Sequence, residues 1–459
     1  MIRVPIRDIP SGWAVKPSPS DDGRTPNAEQ PEDVLARTAE MQKILDEERV
    51  LDLRPGVYVH GHLEGSTNGG IYGSRNATTL YARDQIGDDL ITLKNHSTMK
   101  GNCASYSMWD GEHSFELKDL TIDGNPDYVP NLGSTGSGNT DVSCVYLCGW
   151  NVRISNVRIY GGSANGIALE RGKRGGTPPT GWENRDMLSG TTLVQGCEIL
   201  HCGTGLNVIH DADSEFLSIK VARTEKEGIL LNGAAMRLSC HVWGCGRASK
   251  GDVDYPGVKV ASGYIFGDYV QVDNNFGTGL EVLGYGSTIG HARCIKSRVR
   301  PGWENRPHIR IGAQNVTLGR VDGYCHKDQV GIRVVNGIRW TNIDNCQLRG
   351  GHSDNNPPDP ADRAACIVHS SGYMTQVRVQ FHDAKTAVKF GSDEEWPWPM
   401  TGAKVDGTFK RCGSAVSGDL RRGCDLQMRV DDETVEKPTD ITWYGGAQDP
   451  SNRVEVREY

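Results

Sequence analysis

The amino-acid sequence predicts an all-β solenoid, a parallel β-helix, on three observations. First, one pattern recurs: alternating apolar residues, a polar turn, then a small residue, glycine and two aliphatic residues one position apart, as in Cys197–Val208 and Val270–Val282. Second, the copies follow one another at intervals of roughly 20–40 residues, which indicates stacked structural repeats. Third, each copy has room for two or three short strands, which can bury their aliphatic side chains only against neighbouring copies.

The glycine of each copy is the most regular feature of the pattern. This anchor position falls at residues 166, 205, 228, 257, 279, 308, 331, 366, 387 and 415, and glycine occupies most of these positions. Glycine is favoured where the backbone has a positive φ or where another segment approaches closely. Because the series is unbroken, we predict one continuous β-helix over residues 50–430, with parallel pairing between successive rungs.

The two ends of the chain depart from this pattern. Residues 1–49 are predicted to form a polar, proline-rich arm followed by a capping helix, because Val34, Met41 and Leu45 recur at helical spacing. Such a helix would cover the apolar surface and the free strand edge of the first rung. Residues 431–459 are predicted to be a polar C-terminal cap or tail with one strand, VEVREY.

Composition excludes several classes of protein. The net charge of -8 argues against a general nucleic-acid coat. No apolar run is long enough for a membrane-spanning helix, and the N-terminus lacks the apolar segment of a signal peptide, so we expect synthesis in a cytoplasm without export. No phosphate-binding glycine loop and no CxxC pair occur, so neither a cofactor nor a metal is expected. The 13 cysteines are interpreted mainly as small buried hydrophobic residues.

The N-terminal part of the repeat region resembles the pectate-lyase-like superfamily. The resemblance rests on an amphipathic helix, the segment Leu53–Tyr58 (LRPGVY) and the segment Leu120–Asn125 (LTIDGN). It covers residues 30–125 by motif and residues 150–420 by rung pattern. Many bacteriophage tailspikes and virion-associated depolymerases belong to this superfamily. The resemblance implies a right-handed parallel β-helix, frequently a homotrimer, that binds or cleaves polysaccharide.

The resemblance favours a phage virion spike as the function. Such a protein would bind, and in some cases depolymerise, a host cell-surface polysaccharide, and its N-terminal arm would contact other virion proteins. Two alternatives stay open: a non-catalytic structural or adhesive spike, and a polysaccharide lyase or glycoside hydrolase outside a phage. The letters Asn139-Thr140-Asp141 match a polygalacturonase motif, but the other motifs of those enzymes do not follow in order, so that activity is discounted.

Asp211 and Asp213 are the candidate catalytic residues. They follow a rung strand two positions apart, so their side chains would share one face of the solenoid. Cleavage of a glycosidic bond commonly uses two carboxyl groups. Asp252 and Asp254 repeat the spacing. The alternative is that both pairs are turn residues that hydrogen-bond their own backbone.

The candidate substrate-binding residues come from a repeated pentapeptide and a basic strand. Gly-Trp-Glu-Asn-Arg occurs at residues 181–185 and again at residues 302–306, and it combines an aromatic ring with hydrogen-bonding groups. The basic strand precedes the second copy. The alternatives are a shared turn structure and a solvated outer face. The predicted residues are Trp182, Arg185, Lys296, Arg298, Trp303 and Arg306.

Overall fold

The structure of the protein is a computed structural model. The chain divides into two compact units, named unit 1 (Met1–Cys240) and unit 2 (His241–Tyr459). The continuity of the β-helix over residues 50–430 stays a prediction. The structure describes residues 31–66, 68–83, 86–93, 114–126, 128–129, 133–134, 139–149, 151–170, 192–295, 306–325, 329–335, 337–350, 363–391, 401–431, 435–443 and 450–458.

Unit 1 begins with helix α1 (Pro31–Glu48), which packs its apolar face on the first strands. Val34, Met41 and Leu45 are buried, as the helical spacing predicted. The Gln42 side chain donates a hydrogen bond to the Glu64 carbonyl oxygen and accepts one from the Glu64 N–H, both at 2.9 Å. These two bonds satisfy backbone groups of an otherwise open strand edge. Among the described residues, no helix has the length and hydropathy that crossing a lipid bilayer requires.

After α1, the described residues of unit 1 form short strands and a 3-10 turn, Arg75–Ala77. Its strands are β1 (Val50–Asp52), β2 (Gly56–His60), β3 (Leu63–Gly65), β4 (Gly69–Tyr72), β5 (Thr78–Ala82), β6 (Ile91–Leu93), β7 (Phe115–Lys118), β8 (Thr121–Asp123), β9 (Tyr128–Val129), β10 (Gly133–Ser134), β11 (Val145–Cys148), β12 (Val152–Ser155), β13 (Arg158–Tyr160), β14 (Asn165–Glu170), β15 (Leu193–Gln195), β16 (Glu198–Leu200), β17 (Thr204–Ala212), β18 (Glu215–Ala222), β19 (Ile229–Ala234) and β20 (Met236–Trp243), of which β20 ends in unit 2.

These strands form three parallel stacks, with one strand of each stack in every rung. The first stack contains β1, β4, β7, β12, β15, β18 and β20, and the second contains β2, β5, β8, β13, β16 and the end of β18. The anchor stack, whose later strands follow the anchor residues, contains β3, β6, β11, β14, β17 and β19. The β9–β10 pair is antiparallel and separate.

In-register stacking builds the core of unit 1. In the anchor stack, Ile91, Val145, Ile167, Leu206 and Ile229 occupy one register position on successive strands, and all five side chains are fully buried. Because strand side chains alternate between two faces, the intervening residues of each strand belong to the opposite face of the stack. On that face Thr92, Tyr146 and Ala168 are also buried, so this stack is covered on both faces at those rungs.

Unit 2 repeats this construction with longer strands. Its strands after β20 are β21 (Val258–Ser262), β22 (Ile265–Asp273), β23 (Leu280–Val282), β24 (Thr288–Ile295), β25 (Ile309–Ile311), β26 (Thr317–Cys325), β27 (Val330–Val334), β28 (Asn342–Gly350), β29 (Ala364–Ser370), β30 (Gln376–Phe390), β31 (Lys404–Leu420), β32 (Asp425–Val430), β33 (Lys437–Trp443) and β34 (Arg453–Glu458). The strands β21, β23, β25, β27 and β29 form its anchor stack, which the second halves of β30 and β31 continue. The predicted all-β, right-handed parallel β-helix with an N-terminal capping helix is confirmed.

The anchor glycines are explained by close approach between rungs, which is one of the two predicted reasons. A Cβ on Gly205 would lie 2.4 Å from the Gly228 carbonyl oxygen, and a Cβ on Gly279 would lie 2.7 Å from the His308 carbonyl oxygen. Neither glycine has a positive φ. The absent side chain therefore lets the anchor segment of one rung lie directly on the next.

The cysteines of the described residues behave as the sequence predicted. All twelve are free and buried. The thirteenth, Cys103, lies outside the described residues. Several thiols occupy inward positions of strands, where a small apolar side chain fills the core between aliphatic neighbours.

Candidate functional site

A surface pocket of about 430 Å³ opens on the first stack of unit 1. Three successive strands, β15, β18 and β20, supply most of it, together with the turns that precede β18 and β20. The residues that line the pocket are Arg153, Thr192, Leu193, Asp213, Ser214, Glu215, Ala235 and Arg237.

Strand register brings the charged lining residues together. Arg153 pairs with Leu193, and Leu193 pairs with Glu215, so these side chains form one outward column. Arg237 follows on the next rung, since its N–H donates to the Ser214 carbonyl oxygen. The adjacent residues, such as Phe216, are buried, which places the column on the outer face.

Arg237 and Glu215 form an ion pair across two rungs. The distance from Arg237 Nη1 to Glu215 Oε1 is 3.9 Å, and the two side chains are 52% and 44% exposed. A pair at this distance and exposure contributes little to stability. Both groups therefore stay accessible to a molecule that enters the pocket.

Asp213 lies in the turn that precedes β18. Its φ is +56°, which aspartate tolerates better than most residues because its short side chain can hydrogen-bond locally. The Asp213 N–H donates to the Ala234 carbonyl oxygen at 3.1 Å, and Ala235 has the same left-handed conformation in the following rung. Asp213 is thus both a turn residue and a lining residue of the pocket.

Asp211 belongs to β17, and the structure describes only its backbone. It pairs with Gly233 of β19 after a shift of register next to Ile209. Its side chain lies outside the description, so the predicted pairing of Asp211 with Asp213 as catalytic residues stays a prediction.

The pocket combines the functional groups that carbohydrate chemistry requires. Asp213 and Glu215 supply two carboxyl groups, and Arg153 and Arg237 supply two guanidinium groups that can bind carboxylates or sugar hydroxyls. Ser214 adds a hydroxyl, which accepts a hydrogen bond from the Thr192 N–H at 3.3 Å. This set of groups can bind a polar ligand and exchange protons with it.

The predicted substrate-binding residues fall mostly outside the description. Trp182, Arg185, Lys296, Arg298 and Trp303 are all among the residues that the structure does not describe.

Arg306 is among the residues that the structure describes. In unit 2 its side chain holds the loop at residues 251–254 by hydrogen bonds. Its guanidinium donates to Asp254 Oδ1 at 2.9 Å and to the carbonyl oxygens of Gly251 and Val253 at 2.7 and 2.9 Å. Asp254 also accepts hydrogen bonds from the N–H and hydroxyl of Thr278. Asp254 therefore bonds residues distant in sequence and not its own backbone, and a role of Arg306 in ligand binding stays a prediction.

Arg153, Glu215 and Arg237 were missed in the sequence. Each lies on an outward position of an alternating strand, where charged residues are also common without any function. Glu215 follows Asp213 by two residues, and this spacing of two carboxyl groups was the signal in the sequence that could have identified it. The two arginines lie near Glu215 because rungs pair over gaps in sequence of 40 residues, from Arg153 to Leu193, and 22 residues, from Leu193 to Glu215.

Unit 2 carries a second polar cluster on strands β20, β22, β24 and β26. His241 Nε2 lies 2.7 Å from Asp273 Oδ2, and His291 Nε2 lies 3.0 Å from Asp322 Oδ2. The ring of Tyr269 packs edge-on against the ring of His291, with centroids 5.0 Å apart. Each carboxylate is thus already engaged by an imidazole group.

The fold and the pocket define the protein as a parallel β-helix with a charged pocket on the first stack of unit 1. The sequence matches no protein-family profile and no curated protein. Solved structures that are similar include the enzymatically active domain of tailspike protein 2 of bacteriophage CBA120, at 13% identity and a TM-score of 0.45, covering 76% of this chain and 49% of that chain. This chain therefore spans about half the length of that domain.

Two further similar structures have equally low identities. The AlgE4 A-module, a mannuronan C-5 epimerase of Azotobacter vinelandii, matches at 11% identity and a TM-score of 0.41, covering 95% of this chain and 99% of that chain. The tailspike protein gp49 of the Acinetobacter baumannii bacteriophage Fri1, a capsular polysaccharide depolymerase, matches at 11% identity and a TM-score of 0.31, covering 91% of this chain and 61% of that chain.

Proposed function

We propose that the protein is a phage virion spike that binds a host cell-surface polysaccharide and depolymerises it in the pocket of unit 1. The observation that supports this proposal is the pocket itself, where two carboxyl groups and two guanidinium groups meet on the outer wall of stacked rungs. An outer wall is open along the rungs, so an extended sugar chain can lie across several of them.

Asp213 and Glu215 are the proposed cleaving pair. One carboxyl group donates a proton to the glycosidic oxygen as the bond to the anomeric carbon breaks. The other carboxylate takes a proton from the water that attacks that carbon, or attacks the carbon itself before water releases the sugar. Arg153 and Arg237 orient the chain through its hydroxyl or carboxylate groups.

A reducing-end assay on capsular and exopolysaccharides tests cleavage. Asp213→Asn and Glu215→Gln should each lower the rate about 100-fold or more, because each removes a proton-transfer group. Glu198→Gln is the matched control, since Glu198 also forms a half-exposed ion pair, with Arg158 at 3.3 Å. Equal rates in Glu215→Gln and Glu198→Gln would refute the assignment of Glu215.

Binding is measured separately from cleavage on the same polysaccharides. Arg153→Gln and Arg237→Gln should weaken binding, whereas Arg158→Gln should not. Binding that depends on these arginines without release of reducing ends would favour the non-catalytic spike.

Antibody labelling of phage particles tests the proposed virion location. Truncation of residues 1–26 tests the proposed contact of the N-terminal arm with other virion proteins.

A further inference from the structure

The anchor stack of unit 2 carries a column of basic side chains on its outer face. Strand register pairs Lys259 with Glu281, Glu281 with Arg310, Arg310 with Arg333, Arg333 with His369, and His369 with Lys389. We name these six positions the basic column. The residues on either side of it along each strand, such as Val258 and Val260, are buried, which places the column on the opposite face of the strands. On that face Glu281 and His369 are themselves buried, whereas Arg310 and Lys389 are exposed.

A single carboxylate lies within the basic column. Glu281 is 5% exposed, and it forms ion pairs with Lys259, at 3.3 Å, and with Arg310. Lys259 and Arg310 are 27% and 44% exposed, so they lie above the carboxylate and remain partly in solvent. The column therefore has one negative group against four permanently cationic ones and one histidine.

Arg310 and Arg333 bring two guanidinium groups directly opposite each other within the basic column. Neighbouring strands are about 4.8 Å apart, so the six positions extend over roughly 24 Å. An anionic chain that followed the column would meet a permanently cationic side chain at four of the six positions.

The corresponding column of unit 1 shows that the β-helix does not require these charges. At the equivalent register positions of its anchor stack, where Thr92, Tyr146 and Ala168 are buried, strand register joins six residues without a cation. They are Glu64, Thr92, Tyr146, Ala168, Asn207 and Leu230. The basic column is thus a particular property of unit 2 in a chain whose net charge is -8.

We propose that the basic column binds a linear acidic polysaccharide whose carboxylates repeat along its length. The strand spacing is close to the length of one sugar residue, so successive carboxylates can meet successive rungs. Arginine binds carboxylates through two parallel hydrogen bonds, which suits this ligand better than a diffuse counter-ion. The inference rests on the proposed function for the class of ligand, but it concerns different residues in a different unit.

Titration calorimetry with polygalacturonate and alginate tests the proposal, with carboxyl-reduced polygalacturonate as the neutral control. The wild-type protein should bind both acidic polymers, more weakly as salt rises, and should not bind the reduced polymer. Arg333→Gln and Lys389→Gln should each weaken binding about fivefold. Lys404→Gln, which removes an exposed lysine at the start of β31 and outside the anchor stack, is the matched control and should have no effect.

Several results would overturn the proposal. They are equal binding of the acidic and the reduced polymer, no binding of either acidic polymer, equal effects of Lys389→Gln and Lys404→Gln, or tighter binding of a single-stranded oligonucleotide of equal charge. Arg333→Lys keeps the charge and should retain most of the binding, which separates loss of charge from loss of folding. Asp213→Asn tests the pocket through the cleavage rate, and Lys389→Gln tests the basic column through affinity, so failure at the pocket and failure at the basic column are distinguishable.

Discussion

At the residue scale, this fold depends on small side chains at fixed places. Gly205 and Gly279 have ordinary backbone conformations, yet each would place a Cβ within 3 Å of a carbonyl oxygen of the next rung. Where the anchor residue is Ala387 or Ala415, there is room for a methyl group, which is buried. The requirement at each rung is therefore local clearance, which explains why the anchor is glycine in most copies and another residue in some.

The buried thiols give a pH-dependent prediction at the same scale. Burial raises the pKa of the Cys197 and Cys366 thiols to about 12 and that of Cys412 to about 11, from an ordinary value of 9.0. The unfolded thiols ionise near pH 9 while the folded thiols stay neutral. Their contribution to stability is therefore complete below pH 9 and is lost as the pH rises from about 9 to 12.

Denaturant unfolding at several pH values measures this loss. Cys197→Ala should reduce the downward slope of the unfolding free energy by about 1.4 kcal/mol per pH unit in that window. The native protein should also react slowly with a thiol reagent at pH 8, and rapidly after unfolding, for the cysteines that the structure describes. An unchanged slope in Cys197→Ala would show that its thiol does not contribute.

At the element scale, α1 caps the first rung of the β-helix. Its apolar face covers the first strands, and the Gln42 amide takes the place of a strand backbone by bonding both the N–H and the carbonyl of Glu64. The Thr38 hydroxyl adds a third bond, which it accepts from the Gly61 N–H at 2.8 Å. The helix thus protects the strand edge from pairing with other chains.

We predict that Gln42→Ala destabilises this end of the β-helix. Two hydrogen bonds are lost and two backbone groups of Glu64 lose their partners, so the cost should be about 2–3 kcal/mol. Amide hydrogen exchange at Glu64 and the denaturant midpoint measure the effect. Lys43→Ala, at an exposed position of the same helix, is the control, and equal effects of the two substitutions would contradict the capping role.

At the scale of the whole molecule, we predict a homotrimer. Spikes in the superfamily that the sequence resembles are frequently trimeric, and the outer walls of stacked rungs offer long surfaces that partner subunits can cover. Multi-angle light scattering should report three copies of the 50.1 kDa chain at micromolar concentration. A stable monomer under those conditions would contradict the prediction, and the same measurement at several dilutions controls for weak association.

The sequence by itself determined the architecture, because a solenoid is encoded locally. Alternation of apolar residues fixes which strand face is buried, and recurring glycine fixes where rungs come close, as at Gly205. Both signals repeat along the chain, so each copy supports the interpretation of the others. The capping helix was predictable for the same reason, since its apolar residues Val34, Met41 and Leu45 recur at helical spacing.

The sites were decided by the tertiary structure. Asp213 could be singled out from its place after a strand, but Arg153 and Arg237 became its neighbours only through rung pairing. The basic column likewise joins Lys259 to Lys389, which are far apart in sequence. Inserted segments of different length separate the rungs, so the register between outward side chains cannot be counted along the chain. Stacking of the buried faces sets that register, and it thereby determines which charges meet on the surface.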